Sequence, residues 1–96
     1  MNNKLYRVVW TPRALDELAR MYGYPPNIKE SIYRDSLRRL SFWPTVPAKQ
    51  IPYGELMGLW VRQGKYDVTL IFEVEHTTVW VMGVKHKRQD KYWLNE

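Results

Sequence analysis

The 96-residue sequence has no cysteine, only two histidines, well separated, and no glycine-rich phosphate-binding run. The first absence removes disulfides, zinc–thiolate sites and thiol nucleophiles together, and fits a reducing compartment. The second leaves no credible metal site and the third no phosphate loop, so neither metal nor cofactor is expected, and chemistry must come from acid–base and cationic side chains. Long apolar runs are missing too. The opening MNNKLYRVVW soon meets Pro12 and Arg13, which fits neither a signal peptide nor a membrane span; the cytoplasm is the expected compartment, with no membrane partner.

What is present reads as one folded unit. A chain of this length buries roughly two thirds of its unfolded surface, enough for one core, so a single domain over residues 1–96 is expected. Lys and Arg outnumber Asp and Glu by 15 to 10, a net charge of +5 that favours a polyanionic partner through counterion release.

The β-branched and aromatic run LYRVVW predicts a strand ending at Thr11-Pro12, where Thr11 suits an N-cap and Pro12 the first helical position. Leu15, Leu18 and Tyr22, with Ala14 and Ala19 beside them, follow at helical spacing until Gly23 and Pro25-Pro26 stop the helix. A second helix is expected to open at Asn27 as N-cap, with Ile28, Ile32, Leu37 and Leu40 inward, so the two make an αα-hairpin. Glu30–Arg34 and Asp35–Arg39 stand at i,i+4, which reads most simply as a solvated helix surface. WPTVPAKQIP, with three prolines and no periodicity, predicts a loop.

Three strands follow, at about 55–63, 66–75 and 78–85. Gly64-Lys65 suits a two-residue II′ turn, which sets Val61 opposite Val68, Leu59 opposite Leu70 and Met57 opposite Phe72 on a core face. A turn at His76-Thr77 sets Val74 opposite Val79 and Phe72 opposite Val81. The other face then carries Trp60, Arg62, Asp67, Thr69, Ile71, Trp80, Met82, Val84 and His86, with Arg62, Asp67 and His86 in one row across three strands. So much exposed apolar surface calls for a covering partner.

The chain nears its end on GVKHKRQDKYW, where four cations, a histidine, a tyrosine and a tryptophan follow the last strand. A solvated tail needs the lysines but not His86, Tyr92 and Trp93, whereas an RNA-handling surface uses all of them. The remaining aromatics, Tyr6, Trp10, Tyr24, Tyr33, Phe42 and Trp43, read as core or loop packing.

The element order, with YRVVWTPRALDEL, GELMGLWVRQGKYDV and VWVMGVKHKRQDKYW in sequence, resembles the RelE/ParE family of toxins from toxin–antitoxin pairs. The resemblance implies an α+β fold: an N-terminal strand, an αα-hairpin and a three-stranded antiparallel meander, joined in one mainly antiparallel sheet. It also implies a cognate antitoxin, and either metal-independent cleavage of mRNA in the ribosome or poisoning of DNA gyrase; a non-catalytic binding module of the same fold is the third possibility. By resemblance His86, Lys87 or Arg88, and Tyr92 occupy the nuclease's C-terminal catalytic positions, and Arg62 the family's strand arginine. The chain departs from the nuclease pattern where Asp67 follows Tyr66 in place of an arginine, and where Gly58 and Trp60 replace lysines.

Attack of a 2′-hydroxyl on the adjacent phosphate needs a base, an acid for the 5′-oxygen and cations for the charge that builds on phosphate. His86, Arg88, Tyr92 and Arg62 are the expected catalytic set, with Asp67 favouring the charged imidazole. Lys65, Lys85, Lys87, Lys91 and Trp93 are expected on RNA, and Trp60, Trp80 and Met82 on the antitoxin.

Overall fold

In the computed structural model, which describes residues 5–88, the chain runs β1 (Arg7–Trp10), α1 (Pro12–Ala19), α2 (Pro26–Ser41), β2 (Lys49–Gln50), β3 (Trp60–Gln63), β4 (Val68–Glu75) and β5 (Thr78–His86). The strands form one sheet in the order β1-β5-β4-β3-β2, with β1 parallel to β5 and the other pairs antiparallel. This is the α+β architecture expected, with a short extra strand, β2, inside the segment read as a proline-rich loop.

Thr11 caps α1 as its sequence position implies: its Oγ1 accepts a hydrogen bond from the Ala14 N–H at 3.1 Å, with Pro12 in the first turn. Helix α2 starts earlier than Asn27. Pro26 opens it, its fixed φ and missing N–H costing nothing in a first turn, and Asn27 is already helical.

The core lies between the hairpin and one face of the sheet. It joins Trp10, Ala14, Leu18, Met21, Ile32 and Leu40 to Val68, Leu70, Phe72, Val79, Val81 and Val84. On the α1 side the buried series is Ala14, Leu18 and Met21, not the Leu15, Leu18 and Tyr22 of the sequence reading. Ala14 is fully buried, Leu15 stays 45% exposed and Tyr22 98%, because a small residue faces the sheet and the helix ends before Tyr22. The buried Trp10 indole N–H donates to Ser36 Oγ at 2.9 Å, and Ser36 Oγ–H in turn to the Tyr33 carbonyl at 2.6 Å, so the one large polar-tipped ring of the core is satisfied.

Two features move side chains to faces other than those expected. The β3–β4 hairpin does not close through a two-residue turn at Gly64-Lys65. Gly64 pairs with Val68, its N–H donating to the Val68 carbonyl at 2.8 Å, and Lys65, Tyr66 and Asp67 make the connection. Arg62 therefore faces Leu70 and Trp60 faces Phe72, three residues along from the expected partners. A slip by an odd number exchanges the two faces of a strand. Gly64 is required for a different reason from the one its turn position implied: a Cβ there would meet Val68 Cγ2 at 2.9 Å and Leu70 at 3.3 Å.

The β4–β5 hairpin keeps the expected register from the His76-Thr77 turn to Phe72↔Val81, and then a bulge intervenes, after which Ile71 faces Gly83, Leu70 faces Val84 and Val68 faces His86. One extra residue on β5, Met82, shifts everything beyond it. Val84 thus enters the core, and His86 turns to the helix side.

Candidate functional site

The end of β5 meets the joint between the helices. His86 and Tyr24 lie edge to face with ring centroids 5.3 Å apart, and Tyr24 and Tyr66 meet similarly at 6.4 Å. The Tyr24 hydroxyl donates to the Tyr66 carbonyl at 2.6 Å, tying the α1–α2 joint to the β3–β4 turn. In that turn Tyr66 and Asp67 both adopt left-handed backbone, φ 58° and 61°. Bulky or charged residues held there cost of order 1 kcal/mol each and persist only when neighbours hold them. Here the hold is the Tyr24 hydroxyl on one side and, on the other, the Lys87 N–H donating to the Asp67 carbonyl at 3.0 Å.

Around His86 opens a cavity of about 560 Å³ lined by Glu17, Arg20, Met21, Tyr22, Gly23, Tyr24, His86 and Arg88. The Arg88 backbone N–H donates to His86 Nδ1 at 3.1 Å, which assigns the neutral ring its proton on Nε2. The site thus holds an imidazole donor, a carboxylate, two guanidinium groups and two phenols, a set able to move protons and to neutralise a phosphate.

Of the residues expected to be catalytic, His86 and Arg88 share this cavity. Arg62 does not join them. It lies on the helix side of β3, where its Nη1 donates to the carbonyl of Arg39 in the last turn of α2 at 3.0 Å and to that of Pro44 in the loop beyond it at 3.4 Å. Tyr92, Lys91 and Trp93 lie outside the described residues.

The expected row of Arg62, Asp67 and His86 is not formed: Arg62 faces Leu70, His86 faces Val68, and the Asp67 carboxylate stands 3.8 Å from Lys87 Nζ. The hairpin loop and the bulge, each changing the parity of a strand, account for the error. The same change separates Trp60 from Trp80. Trp60 packs against the hairpin core, while Trp80, on the opposite face, donates its indole N–H to Glu75 Oε1 at 3.3 Å. Met82 is half-buried at the bulge, and Lys85 is half-buried opposite Thr69. Lys65 reaches α2, its Nζ donating to Ser31 Oγ at 3.0 Å.

Glu17 and Arg20 were not singled out from the sequence, and Tyr22 and Tyr24 were read there as helix spacing and packing. A signal was there in the MYGY joint, two tyrosines flanking a glycine where a helix stops, and Gly23 indeed sits at φ 92°.

The Asp35 carboxyl lies among Arg38 and Arg39 and is nearly buried. Burial alone raises its pKa, but hydrogen bonds and charge from Arg39, reinforced by Arg38, outweigh that and hold it below the ordinary value. Burial lowers the pKa of the Arg62 guanidinium, the neighbouring Arg39 charge adds to the shift and Asp35 opposes it. Among the described residues no cluster of three or more histidine, aspartate or glutamate side chains could hold a metal ion, and no helix is long and apolar enough to cross a membrane.

No family model and no curated protein matches the chain. Solved structures do. A chain of the toxin–antitoxin complex RelBE2 from Mycobacterium tuberculosis is 25% identical, with a TM-score of 0.74 over 92% of this chain and 100% of that one. The chromosomal ParDE toxin–antitoxin system of P. aeruginosa matches at 15% identity and a TM-score of 0.61, over 86% of this chain and 97% of that one. The YoeB dimer of Staphylococcus aureus matches at 13% and 0.59, over the same shares of 86% and 97%. At such identities the last two speak for the fold alone. The chain has the RelE/ParE-like fold that its sequence resemblance implied, and the likeness to the RelBE2 chain supports reading it as a RelE/ParE-like toxin of a toxin–antitoxin system.

Proposed function

We propose that the chain is the toxin of a toxin–antitoxin pair and that it cleaves mRNA on the ribosome, by attack of a 2′-hydroxyl on the neighbouring phosphate without a metal. The observation that carries this reading is the meeting of His86 with Glu17, Arg20, Tyr24 and Arg88 around one open cavity. Glu17 and His86 are the groups able to take and give the two protons of the reaction. Arg88 supplies charge for the phosphate as it gains negative density, and Arg20, whose Nε is shared with the Asp16 carboxylate at 3.0 Å, adds to it. Tyr24 braces the imidazole and the turn beside it. An antitoxin is the second partner, by analogy with the RelBE2 and ParDE pairs; the outer sheet face with Trp80 and Met82, now without Trp60, is its proposed contact.

One observation favours gyrase as the target instead. Asp67 stands where an arginine would serve a nuclease, and its carboxylate pairs with Lys87 beside His86, removing one cation from the cluster. Induction of the protein without its antitoxin separates the two readings. Growth arrest with mRNAs cut inside translated frames is expected; arrest with intact mRNA and double-strand DNA breaks transfers the activity to gyrase.

A further inference from the structure

The β3–β4 turn borders a second open cavity, of about 340 Å³, lined by Ser31, Arg34, Asp35, Arg38 and Lys65. Four of these lie on α2 at i, i+3, i+4 and i+7, hence on one face, and Lys65 closes the cavity from the turn through its bond to Ser31 Oγ. The charges here do not cancel. Arg34 pairs with Glu30 at 2.7 Å, but Arg38 and Arg39 share the single carboxylate of Asp35, and Arg62 and Lys65 stand beside them with no acid in contact among the described residues. Five cations against two carboxylates leave an excess of three. The Arg34 and Arg38 side chains that line the cavity are 75% and 80% exposed, and so are placed to meet a ligand.

This cavity is also connected to the first by an unbroken series of contacts: Ser31 to Lys65, Lys65 Nζ at 5.2 Å from the centre of the Tyr66 ring, Tyr66 to Tyr24, and Tyr24 to His86. Tyr66 is 41% exposed midway along it, an aromatic side chain within reach of a base. We propose that the α2 cavity anchors a backbone phosphate of single-stranded RNA, through Arg34, Arg38 and Lys65, and that the strand passes over Tyr66 to reach His86. The identity of the ligand as RNA rests on the function proposed above; the cation excess and the continuity of the track do not.

The test is fluorescence anisotropy with a short labelled 2′-O-methyl RNA, which cannot be cleaved, across a range of potassium chloride concentrations. The double variant Arg34→Gln/Arg38→Gln should bind roughly ten-fold more weakly at low salt. Its log–log salt slope should be shallower by about 1.4, since each phosphate contact on a single strand contributes about 0.7. Glutamine keeps helical propensity, and an unchanged far-ultraviolet spectrum checks the fold. A second double variant, Arg7→Gln/Lys49→Gln, removes the same charge from the two edge strands and should leave the slope almost as in the wild type. An unchanged slope in the first variant, or equal losses in both, overturns the proposal. So does retained RNA binding with lost antitoxin binding, which would make the cavity a protein contact. The expected slopes in a protein that cuts no mRNA in cells support the anchor and defeat only the nuclease reading.

Discussion

At the C-terminal end of α2, Arg38, Arg39 and Arg62 gather around the nearly buried Asp35 and the carbonyls of Arg39 and Pro44, whereas at the end of β5 His86 and Arg88 border an open cavity with Glu17 and Arg20. Both regions are rich in cations, and residue type does not distinguish them. Position does. A half-buried guanidinium must spend its donors on protein acceptors, and Arg62 does so on one carbonyl of the last turn of α2 and one of the loop that follows. The β5 cluster lies where strand, turn and helix joint converge on solvent, and its groups stay accessible to a ligand. Arg62, expected by resemblance at a reaction centre, is here a fastener, and the joint read as packing lines the open cavity.

The largest effect on stability is expected at Asp35. Replacing it with asparagine leaves Arg39 and Arg62 facing each other with no carboxylate between them. The loss should be about 2–4 kcal/mol, read as a fall in thermal midpoint at neutral pH of about 4–8 °C per kcal/mol. Because the folded carboxyl titrates below the unfolded value near 3.8, its contribution is fully present above that value and is lost as the pH falls through the lower, folded value. The wild-type midpoint should therefore drop on acidification below about pH 4, and the Asp35→Asn midpoint less steeply. Parallel acid profiles would remove Asp35 from the centre of the cluster.

A smaller loss, about 1–3 kcal/mol, is expected for Gly64→Ala, whose methyl group would press on Val68 and Leu70. Measured by denaturant unfolding, a neutral result would mean that the hairpin closes elsewhere, and with it that Arg62 and Trp60 face the other way. This position also shows where the sequence stopped being informative. Apart from the short strand β2, the element order, the Thr11 cap, the αα-hairpin and the antiparallel meander followed from propensity and periodicity, which act over several residues. The His76-Thr77 hairpin was legible because apolar partners agree in only one register. By contrast, β3 presents apolar residues on both faces, so two registers look equally good, and Gly64 fits either a II′ turn or a close backbone approach. The Met82 bulge left no mark in the pattern, since Val84 is apolar on either face and His86 suits a surface or a cavity. Two odd-numbered register changes, three residues at the β3–β4 turn and one at the bulge, were enough to dissolve the Arg62, Asp67, His86 row while the fold around it stood.

The smallest changes in stability are expected at the open cluster, where the changes in activity should be greatest. Tyr24→Phe keeps the ring against His86 but removes the hydroxyl from the Tyr66 carbonyl. The expected loss is about 0.5–1.5 kcal/mol, together with a turn less firmly held in its left-handed backbone. Activity should fall in part, because the imidazole keeps its edge-on neighbour while the Tyr66 side of the track loosens. His86→Gln should shift stability by less than about 0.5 kcal/mol, since the side chain is half-buried, similar in size and outside the hydrophobic core. It should nevertheless reduce RNA cleavage by at least ~10²-fold, because an amide cannot exchange a proton near neutral pH. Growth arrest on induction reads the second quantity and thermal unfolding the first. A His86→Gln protein that is as toxic as the wild type would leave the cavity a binding surface without chemistry. One that loses stability and toxicity together would make His86 a structural residue like Arg62, and the contrast between the two regions would disappear.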